Sequence, residues 1–428
     1  MNQKCDVVIV GGGLAGYVAA NYVARTNLSV VILEKGKFVG GRARTTKIEQ
    51  QYFNLGPHAL YKKGKARSIL EELRITLPGK PTKSGGILIE NNIEFPAPFS
   101  ALNLFKTNLL NWKERIEWMT VLLKIVRVNT EPLEGKTFHQ WAGEITHSPK
   151  VKLLLYTLGR LATYSHTPEK MDAKVMVSHL KIALKGVLYL DGGWQTIIDQ
   201  LHNKAVLSGV QVQPQTPVRQ IELLSDGSFQ LVTPHNEKIL AKNVIWTAGP
   251  QELESMFLDK GNCFSNKMTA IKGATLDVAL SQLPNPEKLF AMDLTNPLYY
   301  SVHSTYAHLS DNKNNIILHV FKYHHPEEHH DSTLDKHSLE QFLEKLQPGW
   351  EKYVITKRFL PHITVNQRLP ELGDAKKLLR LKSTIPHLYV AGDWASPDYI
   401  LSEGAVSSGK QAAEELIIKE KRDESANQ

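Results

Sequence analysis

A chain of 428 residues in which 42% of side chains are hydrophobic and 22% charged has the composition of an ordinary soluble enzyme and the length of two or three domains. It holds no apolar run long enough to span a bilayer, no low-complexity segment and no internal repeat, which excludes membrane-spanning, fibrous and solenoid classes. The formal charge of +8 is dispersed, and its densest groups, Lys62–Arg67 and Lys376–Lys382, lack interleaved aromatics, which argues against nucleic acid and leaves an anionic cofactor, an anionic substrate or a membrane surface to account for it.

Met1–Lys4 leads straight into an apolar strand, leaving no room for a signal peptide, and the two cysteines, Cys5 and Cys263, form no disulfide or metal pattern. Both point to a cytoplasmic protein. The strand ends in Gly11-x-Gly13-x-x-Gly16, with Leu14 and Ala15 opening a helix that runs on through Tyr17–Arg25. Gly11 permits the tight turn, Gly13 removes a Cβ where a pyrophosphate approaches, and Gly16 lets helix and strand pack closely. A second strand, Ser29–Leu33, ends at Glu34-Lys35, where a carboxylate can accept from a ribose diol. Strand, glycine turn, helix, strand and acid together predict an adenine dinucleotide.

Val39–Thr46 follows, with Gly41 beside Arg42, which is placed to pair with a phosphate. Tyr52–Tyr61 contains Leu55-Gly56-Pro57-His58, which the residues alone read as a Gly-Pro turn with a capping histidine. Ser84–Pro98 predicts a hairpin about Asn91-Asn92. Ser100 is then an N-cap, and Asn111 with Glu114 a capping box.

Leu102, Phe105, Leu109, Trp112, Ile116, Met119, Leu123 and Val126 recur at helical spacing and define one apolar face. We read it as core-facing, with a solvated basic side. The other reading is a helix that docks on a membrane or a lipid substrate, with Lys106, Lys113, Arg115, Lys124 and Arg127 meeting anionic headgroups. Helices over Phe138–Gly143, Lys150–Thr163 and Pro168–Leu184 complete a mainly helical cap.

Leu190–Leu201 returns to a Gly-Gly turn and helix. Strands are predicted at Gly209–Val212, Pro217–Ile221, Phe229–Thr233, Lys238–Leu240 and Val244–Pro250, with small Ala248 and Gly249 suited to a crowded site. Further strands at Thr275–Ser281, Leu298–Ser304 and Ile316–Tyr323 and a helix at Leu334–Leu346 belong to a second domain. The histidine-rich run His324–His330 reads as a solvated loop, and no metal is assigned. The last informative stretch is Val390–Trp394 (V-A-G-D-W), followed by Tyr399–Ala413 with Ser402-Glu403-Gly404-Ala405-Val406 at the head of a helix.

The glycine turn, the Gly41-Arg42 loop, the Leu55–His58 phrase, Val218 and the closing G-D-W and S-E-G-A-V-x-S-G-K wording together resemble the FAD-dependent amine oxidase, phytoene desaturase and protoporphyrinogen oxidase superfamily. The closing motif is nearest to the phytoene desaturases. The resemblance implies an α/β Rossmann-type FAD-binding domain built from 1–79, 189–251 and 370–420, an α+β substrate domain with a helical cap from 80–188 and 252–369, and a flexible tail at 421–428.

It further implies noncovalent FAD held by Gly11, Gly13, Leu14, Ala15, Gly16, Glu34, Lys35, Gly41, Arg42, Gly56, Pro57, His58, Val218 (through its backbone, to adenine), Ala248, Gly392, Asp393 (to ribityl hydroxyls), Ser402, Gly404, Ala405 and Val406. His58, Tyr61, Trp394 and Tyr399 are placed on the substrate side. The implied activity is removal of hydride from a C–H or C–N unit of a small, apolar organic substrate; oxygen and a quinone are the acceptors left open, and peripheral membrane contact belongs to the second reading of the Leu102–Val126 face. The flavin-facing lysine of the amine oxidases has no counterpart. The alternatives are amine oxidation proper and a redox-neutral flavin mutase; the latter needs clustered cap arginines, whereas Arg115, Arg127 and Arg160 look scattered.

Overall fold

In the computed structural model, residues 3–83, 85–234, 237–257 and 268–426 are described; Cys263, Ser84 and the last two residues of the expected tail lie outside them. The strand Gln3–Val10 pairs in parallel with Val30–Leu33 on one side and with Lys238–Trp246 on the other. Gln211–Gln213 extends the sheet beyond Val30–Leu33. Val7 and Ile9 pack into one apolar cluster and Val8 and Val10 into another, so the strand is buried on both faces, as a parallel sheet sandwiched between layers requires. One layer is the first helix, Leu14–Val23, laid against the final helix, Leu401–Ala426.

Two predicted strands, Lys238–Leu240 and Val244 onward, form a single strand, Lys238–Trp246. Its first half pairs antiparallel with Phe229–Val232 and its second half in parallel with Leu388–Val390, so one element serves both a meander and the Rossmann sheet. The predicted strand over Pro217–Ile221 begins only at Gln220, leaving Pro217 and Val218 in irregular backbone at the sheet edge. The final helix continues through Ala426, so 421–426 extend it where a tail was expected.

The second sheet runs Val354–Asn366, Ile271–Leu280, Ile316–Tyr323, Leu298–Val302, Phe290–Asp293, Ile87–Glu90 and Ile93–Pro96 in spatial order. The hairpin from the 80s therefore joins strands some two hundred residues later, through parallel pairing of Ile87–Ile89 with Ala291–Asp293. Its turn has Asn91 at φ 49° and Asn92 at φ 67°, the left-handed pair that two-residue hairpins need.

The predicted caps are all made: Ser100 accepts from Asn103 N, and Asn111 and Glu114 form the reciprocal box. The burial of the long cap helix, Trp112–Arg127, is the reverse of the expectation. Trp118, Val121 and Ile125 are fully buried, with Trp118 Nε1 donating to Pro98 O at 2.8 Å. The stripe predicted to face the core is open instead: Leu102 is 63% exposed, Phe105 60%, Trp112 65%, Ile116 59%, Leu123 52% and Val126 54%, with Leu109 the buried member of the series. The helix carries two apolar faces, and the narrower one, built around a tryptophan, is the one that packs.

Candidate active site

The two glycine loops are zipped together. Gly40 N donates to Gly12 O at 2.7 Å, Gly13 and Gly40 form a β-bridge, and a Cβ on Gly41 would lie 3.5 Å from Gly13 Cα. The three glycines of the first loop differ as expected. Gly11 stands at φ 112°, while a Cβ on Gly16 would meet Gly11 O at 2.1 Å. A Cβ on Gly13 would meet nothing within 4 Å among the described residues, and Gly13 lines a cavity of about 790 Å³.

That cavity runs between the two sheets. One end is lined by Glu34, Lys35, Pro217, Val218 and Glu252, the middle by Gly11, Gly13, Leu14, Ala15, Gly41, Arg42, Ala248, Gly392 and Asp393, and the remainder by Pro57, His58, Tyr61 and residues of the second sheet and cap. Glu34 is already engaged: Oε2 accepts from Gly12 N at 2.8 Å and Oε1 from Gly36 N at 2.6 Å, which fixes the carboxylate at the edge of the cradle. Arg42, expected to face a phosphate, forms a two-pronged ion pair with Asp393, Nη1 to Oδ2 at 2.5 Å and Nη2 to Oδ1 at 2.7 Å. Asp393 also accepts from Gln367 N at 2.9 Å. The Asp393 carboxylate raises the Arg42 pKa against the opposing effect of burial.

His58 lies in the wall with Nδ1 3.1 Å from Gly56 O and Nε2 3.1 Å from Arg42 O, its ring edge-on to Trp194 at 5.3 Å. Burial lowers its pKa, the two carbonyls offsetting part of this, and the ring sits between the Arg42 loop and the Gly56 turn with one nitrogen within hydrogen-bond distance of each. Tyr61 donates its hydroxyl to Ala162 O in the cap. Tyr164 does the reverse, donating to Pro57 O at 2.8 Å.

Several predicted residues support the wall from behind. Gly16 packs first helix on strand, Gly56 makes room for Ile363, Gly404 lies against the carbonyls of Asp393 and Tyr399, and Val406 is fully buried in the Rossmann core. Two substrate-side assignments need correction. Trp394 is fully buried among Rossmann side chains, its Nε1 donating to Ala248 O at 2.8 Å, and Tyr399 packs beside His179, outside the cavity lining. In a G-D-W phrase the chain reverses after Asp393, so the next side chain turns into the core.

Sequence reasoning missed the far wall: Tyr164, Tyr189, Phe290, Tyr299, Phe321 and Ile363. Tyr189 stacks on His303 at 3.8 Å and its hydroxyl lies 3.4 Å from those of Tyr299 and Ser301. Tyr164 is the left-handed C-cap of the helix Pro149–Thr163, and the others sit in strands whose alternation reports burial but not what the buried side faces.

Ser402 and Ala405, in the first turn of the final helix, line the cavity, so the positive end of the longest helix points into it. Leu401 enters this helix at φ 55°, with its N–H donating to Asn366 Oδ1 at 2.7 Å. The histidine run, by contrast, brings His324, His330 and Asp335 together elsewhere. His324 Nε2 lies 2.7 Å from Asp335 Oδ2, and Lys322 holds the other oxygen at 2.7 Å.

The model of the flavin containing amine oxidoreductase family matches residues 14–417. The chain belongs to this family. It is an FAD-dependent oxidoreductase, and the empty face of Gly13, the Arg42–Asp393 pair and the helix end at Ser402 fit a long phosphate-bearing cofactor. No cysteine lines the cavity among the described residues.

A curated relative, the 15-cis-phytoene desaturase of Narcissus pseudonarcissus, is 21% identical over 96% of this chain and 79% of its own length. A protein from Exiguobacterium sp. 255-15, provisionally named a protoporphyrinogen oxidase, shares the fold at a TM-score of 0.76, 18% identity, and coverage of 98% of this chain and 99% of its own. Cyclohexylamine oxidase from Brevibacterium oxydans does so at 0.73, with 14% identity and 97% and 99% coverage. At such identities the structural likeness is one of fold.

Proposed function

We propose that this oxidoreductase removes hydride from a C–H unit of an apolar organic substrate, as a desaturase or dehydrogenase, and that it works in the cytoplasm with peripheral membrane contact. The observation that carries the reading is the wall beyond the dinucleotide cradle: Leu161, Tyr164, Leu289, Phe290, Tyr299 and Phe321 offer an apolar and aromatic surface. Bound FAD supplies the hydride acceptor. The chain's part is to orient substrate by shape, keep water out with the cap, and place the positive end of the final helix where negative charge gathers on reduction.

The rival chemistries need side chains that this wall lacks. Among the described lining residues the lysines are Lys35, at the dinucleotide end, and Lys83, at the rim, so neither serves as a lysine over the ring in amine oxidation. A sugar-nucleotide mutase needs arginines reaching in from the cap. Arg115 caps carbonyls at Phe105, Thr107 and Leu110, and Arg160 donates to Asp293 O on the far side of its helix.

Anaerobic mixing of the yellow protein with panels of apolar alkenes, amines and sugar nucleotides tests this. Bleaching of the visible band by apolar hydrocarbons alone is expected. Bleaching by amines, or turnover of sugar nucleotides only after prior reduction, overturns it.

A further inference from the structure

We propose that the exposed face of the two cap helices, Ala101–Lys106 and Trp112–Arg127, is a docking surface for an anionic lipid bilayer, and that the substrate cavity opens beside it. The first ground is the exposure of the stripe itself. Leu102, Phe105, Trp112, Ile116, Leu123 and Val126 are each more than half exposed and Met119 is 40% exposed, with Trp112, Ile116, Met119, Leu123 and Val126 at the three-four spacing of one face of the longer helix and Leu102 and Phe105 on the shorter one. Phe105 and Trp112 join the helices into one patch, their rings edge to face at 6.3 Å. Isolated surface leucines need no explanation, but a contiguous stripe of this length does.

The second ground is charge, and it selects the occupant. Lys113, Lys124 and Arg127 lie exposed along one flank of the stripe, and Lys106 is exposed at the end of the shorter helix. The acids of the longer helix turn away. Glu114 is spent on the Asn111 cap, and Glu117 accepts from Thr146 Oγ1 and, at 3.0 Å, from His147 N. An apolar face bordered by cations, with the acids folded back against the protein, is the arrangement that lies in the headgroup region of an anionic leaflet. A second copy of this chain would bring the same cations against each other, which disfavours it as the occupant.

The third ground is where the cavity ends. Its wall includes Lys83, Gly85, Phe99 and Leu184. Phe99 precedes the Ser100 cap of the first docking helix, a Cβ on Gly85 would lie 3.9 Å from Asn103 Nδ2 in that helix, and Leu184 is 38% exposed. A protein lying on this stripe thus sets the rim of an apolar cavity against the acyl region, and an apolar substrate passes between them without crossing water. The docking surface stands whether or not the substrate class proposed above is right, since its test uses lipid alone.

The test is flotation of the full-length FAD-loaded protein with vesicles of phosphatidylcholine, and of phosphatidylcholine mixed with phosphatidylglycerol, alongside its sedimentation without lipid. Binding to the mixed vesicles is expected, weakened by salt, and reduced at least about tenfold in Ile116→Glu/Leu123→Glu. Lys113→Glu/Lys124→Glu is expected to lose the preference for the anionic vesicles while melting at the wild-type temperature. Both pairs are exposed, so the flavin spectrum and melting temperature of each variant show that it has folded. Absence of binding to either vesicle overturns the proposal, as does binding that the Ile116/Leu123 pair leaves unchanged. Self-association abolished by the same pair, without vesicle binding, assigns the face to a second copy and also overturns it.

Discussion

Arg42 and Asp393, 351 positions apart in the chain, meet in a two-pronged ion pair that closes the middle of the cofactor cavity. The Asp393 side chain is 4% exposed, whereas the Arg42 side chain is 40% exposed and lines the cavity itself. The pair therefore joins the first loop of the cradle to the last, and it does so before any ligand is considered. Arg42→Met removes the cation and strands a buried carboxylate, which costs about 3 kcal/mol on the scale of broken buried pairs. The double variant Arg42→Met/Asp393→Asn is expected to recover most of the melting temperature of the FAD-free protein while still failing to hold FAD through gel filtration. A double variant no more stable than the single one removes the pair as the cause.

Gly13 and Gly16 separate cofactor binding from folding. A methyl on Gly13 meets no atom of the described residues within 4 Å, and its φ of −88° suits any residue, so Gly13→Ala should leave the melting temperature of the FAD-free protein unchanged. The same methyl stands where a pyrophosphate approaches, and FAD affinity should fall at least about tenfold in an equilibrium titration followed by flavin fluorescence. Gly16→Ala places its methyl 2.1 Å from Gly11 O and should yield little folded protein. If Gly13→Ala binds FAD as the parent does, the cradle lies elsewhere.

Trp394 offers the converse test, because its side chain is core rather than wall. Trp394→Phe loses the Nε1 bond to Ala248 O and leaves space in a filled interior, a destabilisation of about 2 kcal/mol. The melting temperature should drop while kcat and KM on any turned-over substrate stay near the parent values. A change in kcat with an unchanged melting temperature would return Trp394 to the catalytic surface.

The parts of the cradle were legible because each rests on local backbone chemistry. Gly11-x-Gly13-x-x-Gly16 announces its turn through φ and close approach, and Asn111 with Glu114 announces a helix start, without reference to anything distant. What stayed hidden depends on partners. The sequence places Arg42 and Asp393 each against the cofactor, since nothing in either neighbourhood says that they face one another. The stripe from Trp112 to Val126 shows that an apolar face exists, but periodicity cannot say whether protein or lipid covers it, and the buried side was set by Trp118 reaching Pro98. The aromatic wall was invisible for the same reason: Tyr299 and Phe321 pair across neighbouring strands of the second sheet, and Tyr189 reaches them from a separate three-stranded sheet, so only the tertiary fold brings the three together.

Glu403 gives stability a pH dependence whose sign follows from burial. Its side chain is fully buried, Oε2 accepts from Ala66 N at 2.9 Å, and Oε1 has no hydrogen-bond partner among the described residues. Desolvation raises the carboxyl from 4.5 to about 7, the Ala66 and Lys65 N–H groups and the Lys65 charge offsetting only part. With a folded pKa above the unfolded one, the protonated acid favours the folded state. Its contribution is complete below pH 4.5 and is lost as pH rises towards 7, amounting to about 3 kcal/mol over that window. Glu403→Gln keeps an acceptor for Ala66 N and cannot ionise, so the difference in unfolding free energy, variant minus parent, should grow by about that amount between pH 4.5 and 7.5 and then level off. Urea unfolding of both proteins across this range measures it. A difference that stays constant with pH shows that Glu403 titrates as an ordinary carboxyl.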